Sequence, residues 1–235
     1  TKDAQTSLGE FNYVPCLNIR SYRPYPKVED AIIEKAANLI NQARKPYVLF
    51  GQGVILGKAE QALQAFLDKS GIPAACTLLG TGALSEEHPN FVGKLGMHGN
   101  YGPNLLTNQC DVLIAVGMRF DDRVTGDVKR YAKQAKVIHL ELDPAEIDKT
   151  VKSEVAVVGD CRISLEKLTE KVAKKTHPEW IQEFRELEAE EKRVVVGNDL
   201  SPTKVGLTMG EVIRHINEFK ADDAILVTDV GQHQM

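Results

Sequence analysis

The scarcities of this sequence narrow its function before any motif is considered. Cys16, Cys76, Cys110 and Cys161 form no CxxC pair and have no histidine at metal-ligand spacing, which excludes a zinc module and a disulfide framework. Such cysteine usage fits a reducing cytoplasm. No apolar run approaches the length of a membrane span and no charged-then-apolar signal sequence opens the chain, so the expectation is a soluble protein with no membrane partner. Charge of one sign is not in excess. There are 29 Lys and Arg against 33 Asp and Glu, a net charge of -4, and the lysines are scattered, so a nucleic-acid partner is not expected. GxGxxG is missing as well, because Gly51-x-Gly53-x-x-x-Gly57 departs from the dinucleotide fingerprint. No Ser-His-Asp or Cys-His grouping has motif context: His88, His139, His177 and His215 are dispersed, and His98 lies alone in a loop.

What is present is a repeated unit. The 235 residues, 43% of them hydrophobic, are enough for one α/β domain and an appendage. Residues 28–44 read as an amphipathic surface helix with acids in the first turn and Arg44 in the last. Residues 46–51 read as a buried strand, and a turn and the helix 58–70 follow. Further strands are expected at 73–79, 91–95, 111–116, 136–143 and 155–158, with helical segments between them and a closing helix at 161–175. This alternation implies right-handed crossovers and a doubly wound parallel sheet of roughly six strands. Residues 1–27 read as an extended lead-in from a preceding domain and 28–176 as the nucleotide-binding domain. Residues 177–207 read as a charged, solvated helix and linker. Residues 208–235, with a helix at 209–217 and a strand at 224–228, read as the start of a truncated second domain.

The chemistry gathers at strand ends. The buried strand at 111–116 is followed at once by Arg119, Asp121, Asp122 and Arg123, at the edge where open parallel sheets hold ligands. Glu141 ends the next strand, where a carboxylate can accept hydrogen bonds from ribose hydroxyls, and Asp160 follows the strand after that. Gly51-Gln52-Gly53 and Gly80-Thr81-Gly82 allow close backbone approach, while helix N-termini offer N–H groups to phosphate. Arg23, Arg119 and Arg123 are suited to bidentate contact with a pyrophosphate. Ion pairs within the protein remain the alternative for the charged loop and for Glu141. Read jointly, these residues point to a dinucleotide and to no reaction centre.

Several motifs, in order, resemble acetolactate synthase, also called acetohydroxyacid synthase. They are Thr77-Leu78-Leu79-Gly80-x-Gly82, Gly96-Met97-His98-Gly99, Gly117-x-Arg119-Phe120-Asp121-Asp122-Arg123-Val124-Thr125-Gly126, Leu142-Asp143-Pro144-Ala145-Glu146-Ile147 and Asp229-Val230-Gly231-Gln232-His233-Gln234-Met235. The resemblance spans essentially the whole chain and matches the Rossmann-like central domain of the catalytic subunit plus the first strand and loop of its carboxyl-terminal domain. It implies a thiamine diphosphate- and Mg2+-dependent condensation of pyruvate with pyruvate or 2-oxobutyrate, with loss of CO2, in branched-chain amino-acid synthesis. It also implies a homo-oligomer, a possible regulatory subunit, and FAD bound by the central domain without an obligatory redox part. Carried over, the FAD contacts are Arg23, Gly51, Gln52, Gly53, Thr77, Leu78, Met97, His98, Gly117, Arg119, Asp121, Arg123, Val124, Glu141, Leu142 and Asp160, and the loop Val230, Gly231, Gln232, His233 meets the thiamine diphosphate.

The departures are informative. Gln52 stands where the family has a third glycine. The family's activating glutamate and its metal-binding motif match nothing in these residues, so this chain alone is expected to be inactive, with no catalytic or metal-ligating residue of its own. Two alternatives stay open: a free-standing nucleotide-binding module, and another thiamine diphosphate enzyme with the same central fold.

Overall fold

The structure, a computed structural model, describes residues 2–16, 25–200, 206–229 and 231. After an exposed turn of helix, α1 (Lys2–Thr6), the ordered domain begins with α2 (Asp30–Gln42) and β1 (Pro46–Phe50). There follow α3 (Gln52–Leu56), α4 (Glu60–Ser70), β2 (Ala74–Cys76), β3 (Phe91–Lys94), α5 (Tyr101–Leu106) and β4 (Val112–Val116). The short helix α6 (Asp122–Thr125), β5 (Lys136–Glu141), β6 (Val155–Val158), α7 (Cys161–Lys171) and α8 (Pro178–Glu191) complete the domain. A π-helical stretch, Lys192–Val196, leads into α9 (Gly197–Leu200), and α10 (Met209–Phe219) lies beyond. No helix among the described residues is long and apolar enough to cross a membrane.

All pairings in the six-stranded sheet are parallel, in the order β3-β2-β1-β4-β5-β6. This is the expected doubly wound α/β fold. Its order carries a consequence: the chain winds outward from β1 to β3 and then returns to the other side of β1 at β4. The loops leaving the carboxyl ends of β1 and β4 therefore diverge, and a crevice opens between them.

Side-chain alternation divides the core into two layers. Val48 and Phe50 of β1 and Val112, Ile114 and Val116 of β4 face one layer with α2, α4 and α7. Helix α2 contributes Ile33, Ala36, Ala37 and Ile40, the i, i+3, i+4, i+7 stripe that a one-faced helix buries. Tyr47, Leu49, Leu113 and Ala115 face the other layer with Leu106, Trp180 and Phe184.

Helix α8 differs from the solvated helix that its charge suggested. Trp180 Nε1–H donates to the Pro46 carbonyl at 2.8 Å, and the Trp180 and Phe184 rings meet edge-on at 4.9 Å, with Tyr47 a further 5.0 Å from Phe184. Two aromatics at i, i+4 make a narrow apolar stripe, and the flanking carboxylates mask it in any count of charge. The strand expected at 224–228 is not formed. Ile225 and Val227 are 88% and 89% exposed, and no neighbouring edge pairs with them among the described residues. A strand needs a ladder partner as well as β-branched side chains.

Candidate functional site

The crevice at the switch point is a cleft of about 680 Å³ lined by Gln52, Gly53, Leu56, Thr77, Leu78, Leu79, Gly117, Met118, Arg119, Asp121, Arg123, Val124, Glu141, Asp143 and Glu146. Its floor is a backbone crossing. The Gly53 N–H donates to the Gly117 carbonyl at 2.8 Å, the Gly51 N–H to Val116 O at 3.0 Å, and the Gly117 N–H to Leu140 O at 2.9 Å. A Cβ on Gly53 would stand 2.6 Å from Gly117 Cα, and Gly117 itself has φ +55°. These glycines are required by the crossing itself. The phosphate-ready N–H groups expected at this turn are largely spent, since Val54 N–H also donates internally, to Gly51 O at 3.1 Å.

The loop after β4 is built differently. It continues the alternation of the strand, so Met118 and Phe120 are buried while Arg119 is exposed on the cleft side. Asp121 organises it: Oδ2 accepts from Arg119 Nε at 3.2 Å, and Oδ1 accepts from the Arg123 N–H at 3.1 Å, capping α6. The terminal nitrogens of Arg119 make no hydrogen bond among the described residues. The Arg123 carbonyl accepts from the Met97 N–H at 2.7 Å, and Arg123 Nη1 lies 3.4 Å from Met97 Sδ. Asn104 clamps the adjoining turn, because its amide bonds both the N–H and the carbonyl of Gly96 at 2.9 Å.

On the opposite wall Glu141 Oε1 accepts from the Leu142 and Asp143 N–H groups at 2.9 and 3.2 Å. Its second oxygen makes no hydrogen bond within the described residues; the nearest cation-capable group, His139 Nε2, is 3.9 Å away. Asp143 and Glu146 extend this acidic wall, so the charged lining is two arginines with Asp121 between them along the β4 loop and carboxylates alone beyond β5. Behind the floor, the Cys161 thiol donates to Gly53 O at 3.1 Å. Burial, and then the Asp160 carboxylate, push this thiol up to about 11, which makes it a packing group and not a nucleophile at neutral pH.

Gln52, Gly53, Thr77, Leu78, Gly117, Arg119, Asp121, Arg123, Val124 and Glu141 thus come together at one cleft. Gly51 is buried directly behind it, Met97 joins through Arg123, and Leu142 and His98 are exposed beside these residues. Asp160 takes another place: its Oδ1 accepts from Ile163 N–H at 3.1 Å as the N-cap of α7, and it does not line the cleft. Gly231 does not line it either, and Arg23, Val230, Gln232 and His233 lie outside the described residues. Sequence reasoning missed Leu56, Leu79, Met118, Asp143 and Glu146 as lining residues, Asn104 as a clamp, and His139 beneath the arginine loop. His139 left a signal, as an ionisable residue among the apolar Val137, Ile138 and Leu140, while Leu79, Asp143 and Glu146 stood inside the motifs without being singled out.

Comparison with known proteins agrees with the fold. The family described as thiamine pyrophosphate enzyme, central domain, matches residues 33–168, from within α2 into α7 and across all six strands. An acetolactate synthase large subunit of Corynebacterium glutamicum is 39% identical over 239 residues, covering 100% of this chain and 38% of that protein. A probable acetolactate synthase large subunit of Methanocaldococcus jannaschii is 34% identical, covering 100% of this chain and 40% of that protein. The large subunit of acetolactate synthase isozyme 2 from Escherichia coli K12 is 37% identical over 206 residues, with 87% of this chain and 36% of that protein covered. The chain therefore spans about two fifths of the length of the curated relatives it matches. A sheet wound 3-2-1-4-5-6, and a family match that contains every one of its strands, lead to one assignment: the chain belongs to the family of thiamine pyrophosphate enzyme central domains.

Proposed function

We propose that this chain is the dinucleotide-binding part of an acetolactate synthase large subunit, and that its dinucleotide is FAD. The observation that carries this reading is the division of charge in the cleft, with Arg119 and Arg123 on one wall and Glu141, Asp143 and Glu146 on the other. A dinucleotide presents the same division, an anionic diphosphate flanked by hydroxyl-bearing sugars. The guanidinium nitrogens of Arg119 suit the diphosphate, and the uncommitted oxygen of Glu141 suits a ribose hydroxyl. Exposed Leu56, Leu78, Leu79 and Met97 offer apolar surface beside them for flat rings.

In this reading residues 28–176 together with the packed helix α8 form the FAD-binding domain, the residues from 192 to 207 lead away from it, and 1–27 and 208–235 belong to neighbouring domains. The whole protein condenses two 2-oxo acids, pyruvate with pyruvate or 2-oxobutyrate, with loss of CO2 in branched-chain amino-acid synthesis. It works in the cytoplasm as a homo-oligomer, with a regulatory subunit as a further partner. Thiamine diphosphate with Mg2+, when bound, supplies the carbanion stabilisation that no side chain provides. This chain's residues bind and orient; none is assigned a proton-transfer role.

Two measurements test the reading. Full-length protein should quench FAD fluorescence on binding and should form acetolactate from pyruvate with thiamine diphosphate, Mg2+ and FAD, while the 235 residues alone should show no turnover. Preferential NAD binding without acetolactate formation would replace it with the free-standing nucleotide-binding module.

A further inference from the structure

His139 occupies the middle of β5, in the fully buried run between Lys136 and Glu141, and is 0% exposed. An apolar residue would be the ordinary occupant of such a position. Its Nε2 lies 2.8 Å from the Met118 carbonyl, which can only accept, so Nε2 carries the proton. Nδ1 is buried without a hydrogen-bond partner, a state that costs stability. The ring also meets Phe120 edge-on at 5.0 Å. Met118 and Phe120 are the immediate neighbours of Arg119. One imidazole thus holds both residues that flank the exposed arginine.

Burial keeps this ring neutral against its charged surroundings. Burial pushes it below its ordinary value of 6.5, and this outweighs the opposing pull of the Met118 carbonyl and of the Glu141, Glu146 and Asp148 carboxylates. Among the described residues no cation adds to the charges acting on it, and Glu141 Oε2, at 3.9 Å, is its ion-pair contact. The neutral ring can donate to Met118 without presenting a second N–H that has nothing to bind.

We propose that His139 is a positioning residue of the dinucleotide cleft: its Nε2–H fixes Met118 and its ring backs Phe120, so that Arg119, Asp121 and Arg123 stand preorganised for an anionic diphosphate. The identity of the ligand rests on the FAD reading, but the hold on the loop does not. His139→Phe keeps a ring, removes the donor and removes the orphaned nitrogen. His139→Gln keeps an N–H donor and loses the ring. Phe120→Leu removes the edge contact by a second route and leaves the imidazole in place.

The experiment uses full-length protein, with FAD affinity by fluorescence titration, thermal unfolding, and amide exchange of residues 118–124 in the FAD-free state. For His139→Phe, the FAD Kd should rise about tenfold, as the loss of one hydrogen bond predicts, with faster exchange in 118–124 and an unchanged unfolding midpoint. His139→Gln should restore the Kd to within about threefold of wild type, and Phe120→Leu should raise it by about threefold, values within the range of a single weak contact. Wild-type affinity and exchange in His139→Phe would overturn the proposal. So would affinity losses that merely track lost stability in both His139 variants. Failure of the wild type to bind FAD would strike the FAD reading alone, because exchange in the FAD-free protein still decides the role of His139.

Discussion

The two loops that meet at the switch point use their residues in opposite ways. The turn after β1 spends the N–H groups of Gly51 and Gly53 on Val116 and Gly117, and a Cβ on Gly53 would have no room against Gly117. The loop after β4 holds its backbone with Asp121 and presents Arg119 outward. One loop is committed to packing, and the other leaves arginine nitrogens uncommitted among the described residues. In an open parallel sheet a glycine-rich turn therefore identifies where two backbones cross, which need not be where phosphate charge is met.

Substitution at the crossing should have the largest effect. Gly53→Ala should lower stability by about 3 kcal/mol in urea unfolding, since its Cβ meets backbone atoms that cannot rotate away. A loss under about 0.5 kcal/mol would place the variant with ordinary surface changes and erase the contrast between the loops. Next comes Arg119→Ala, which should weaken FAD binding by about 10- to 100-fold, the range of a lost charge-assisted hydrogen bond, while thermal unfolding stays put. Its side chain is 67% exposed, so folding does not depend on it. Unchanged FAD affinity would remove the arginine loop from the site.

The smallest expected effect is on the dependence of stability on pH. The unfolded imidazole of His139 takes a proton near its ordinary value of 6.5, whereas burial holds the folded one lower. The unfolded state therefore binds more protons in that window, and stability should fall as pH drops through 6.5 and level off below the folded value. His139→Phe should flatten this slope without abolishing it, because burial also lowers His177. An identical slope in wild type and His139→Phe, measured by urea unfolding from pH 7.5 to 5, would show that the imidazole is not held neutral.

Much of this was legible beforehand for particular reasons. A run such as residues 112–116, apolar at every position, has few alternatives to a strand buried on both faces, and charges placed just beyond it mark the carboxyl edge. Asp121 and Glu141 could be placed at the cleft for that reason. Asp160 could not be distinguished from them, because a strand-end acid and a helix N-cap look alike in sequence, and only its bond to Ile163 N–H separates the two. Trp180 was hidden by the carboxylates around it, and residues 224–228 show the converse, where β-branched composition promised a strand that pairs with no edge among the described residues.

By itself, the sequence determined what depends on neighbours along the chain: the alternation of strand and helix, the charged edge, and the motif order that resembles acetolactate synthase. The tertiary structure decided what depends on residues far apart. It set the 3-2-1-4-5-6 winding that opens the cleft between β1 and β4, and it spent the glycine N–H groups across that crossing. It also placed His139, 21 residues away from Met118 in the chain, within one hydrogen bond of the arginine loop. Local pattern reports which way a side chain points; only the packed sheet determines what it meets there.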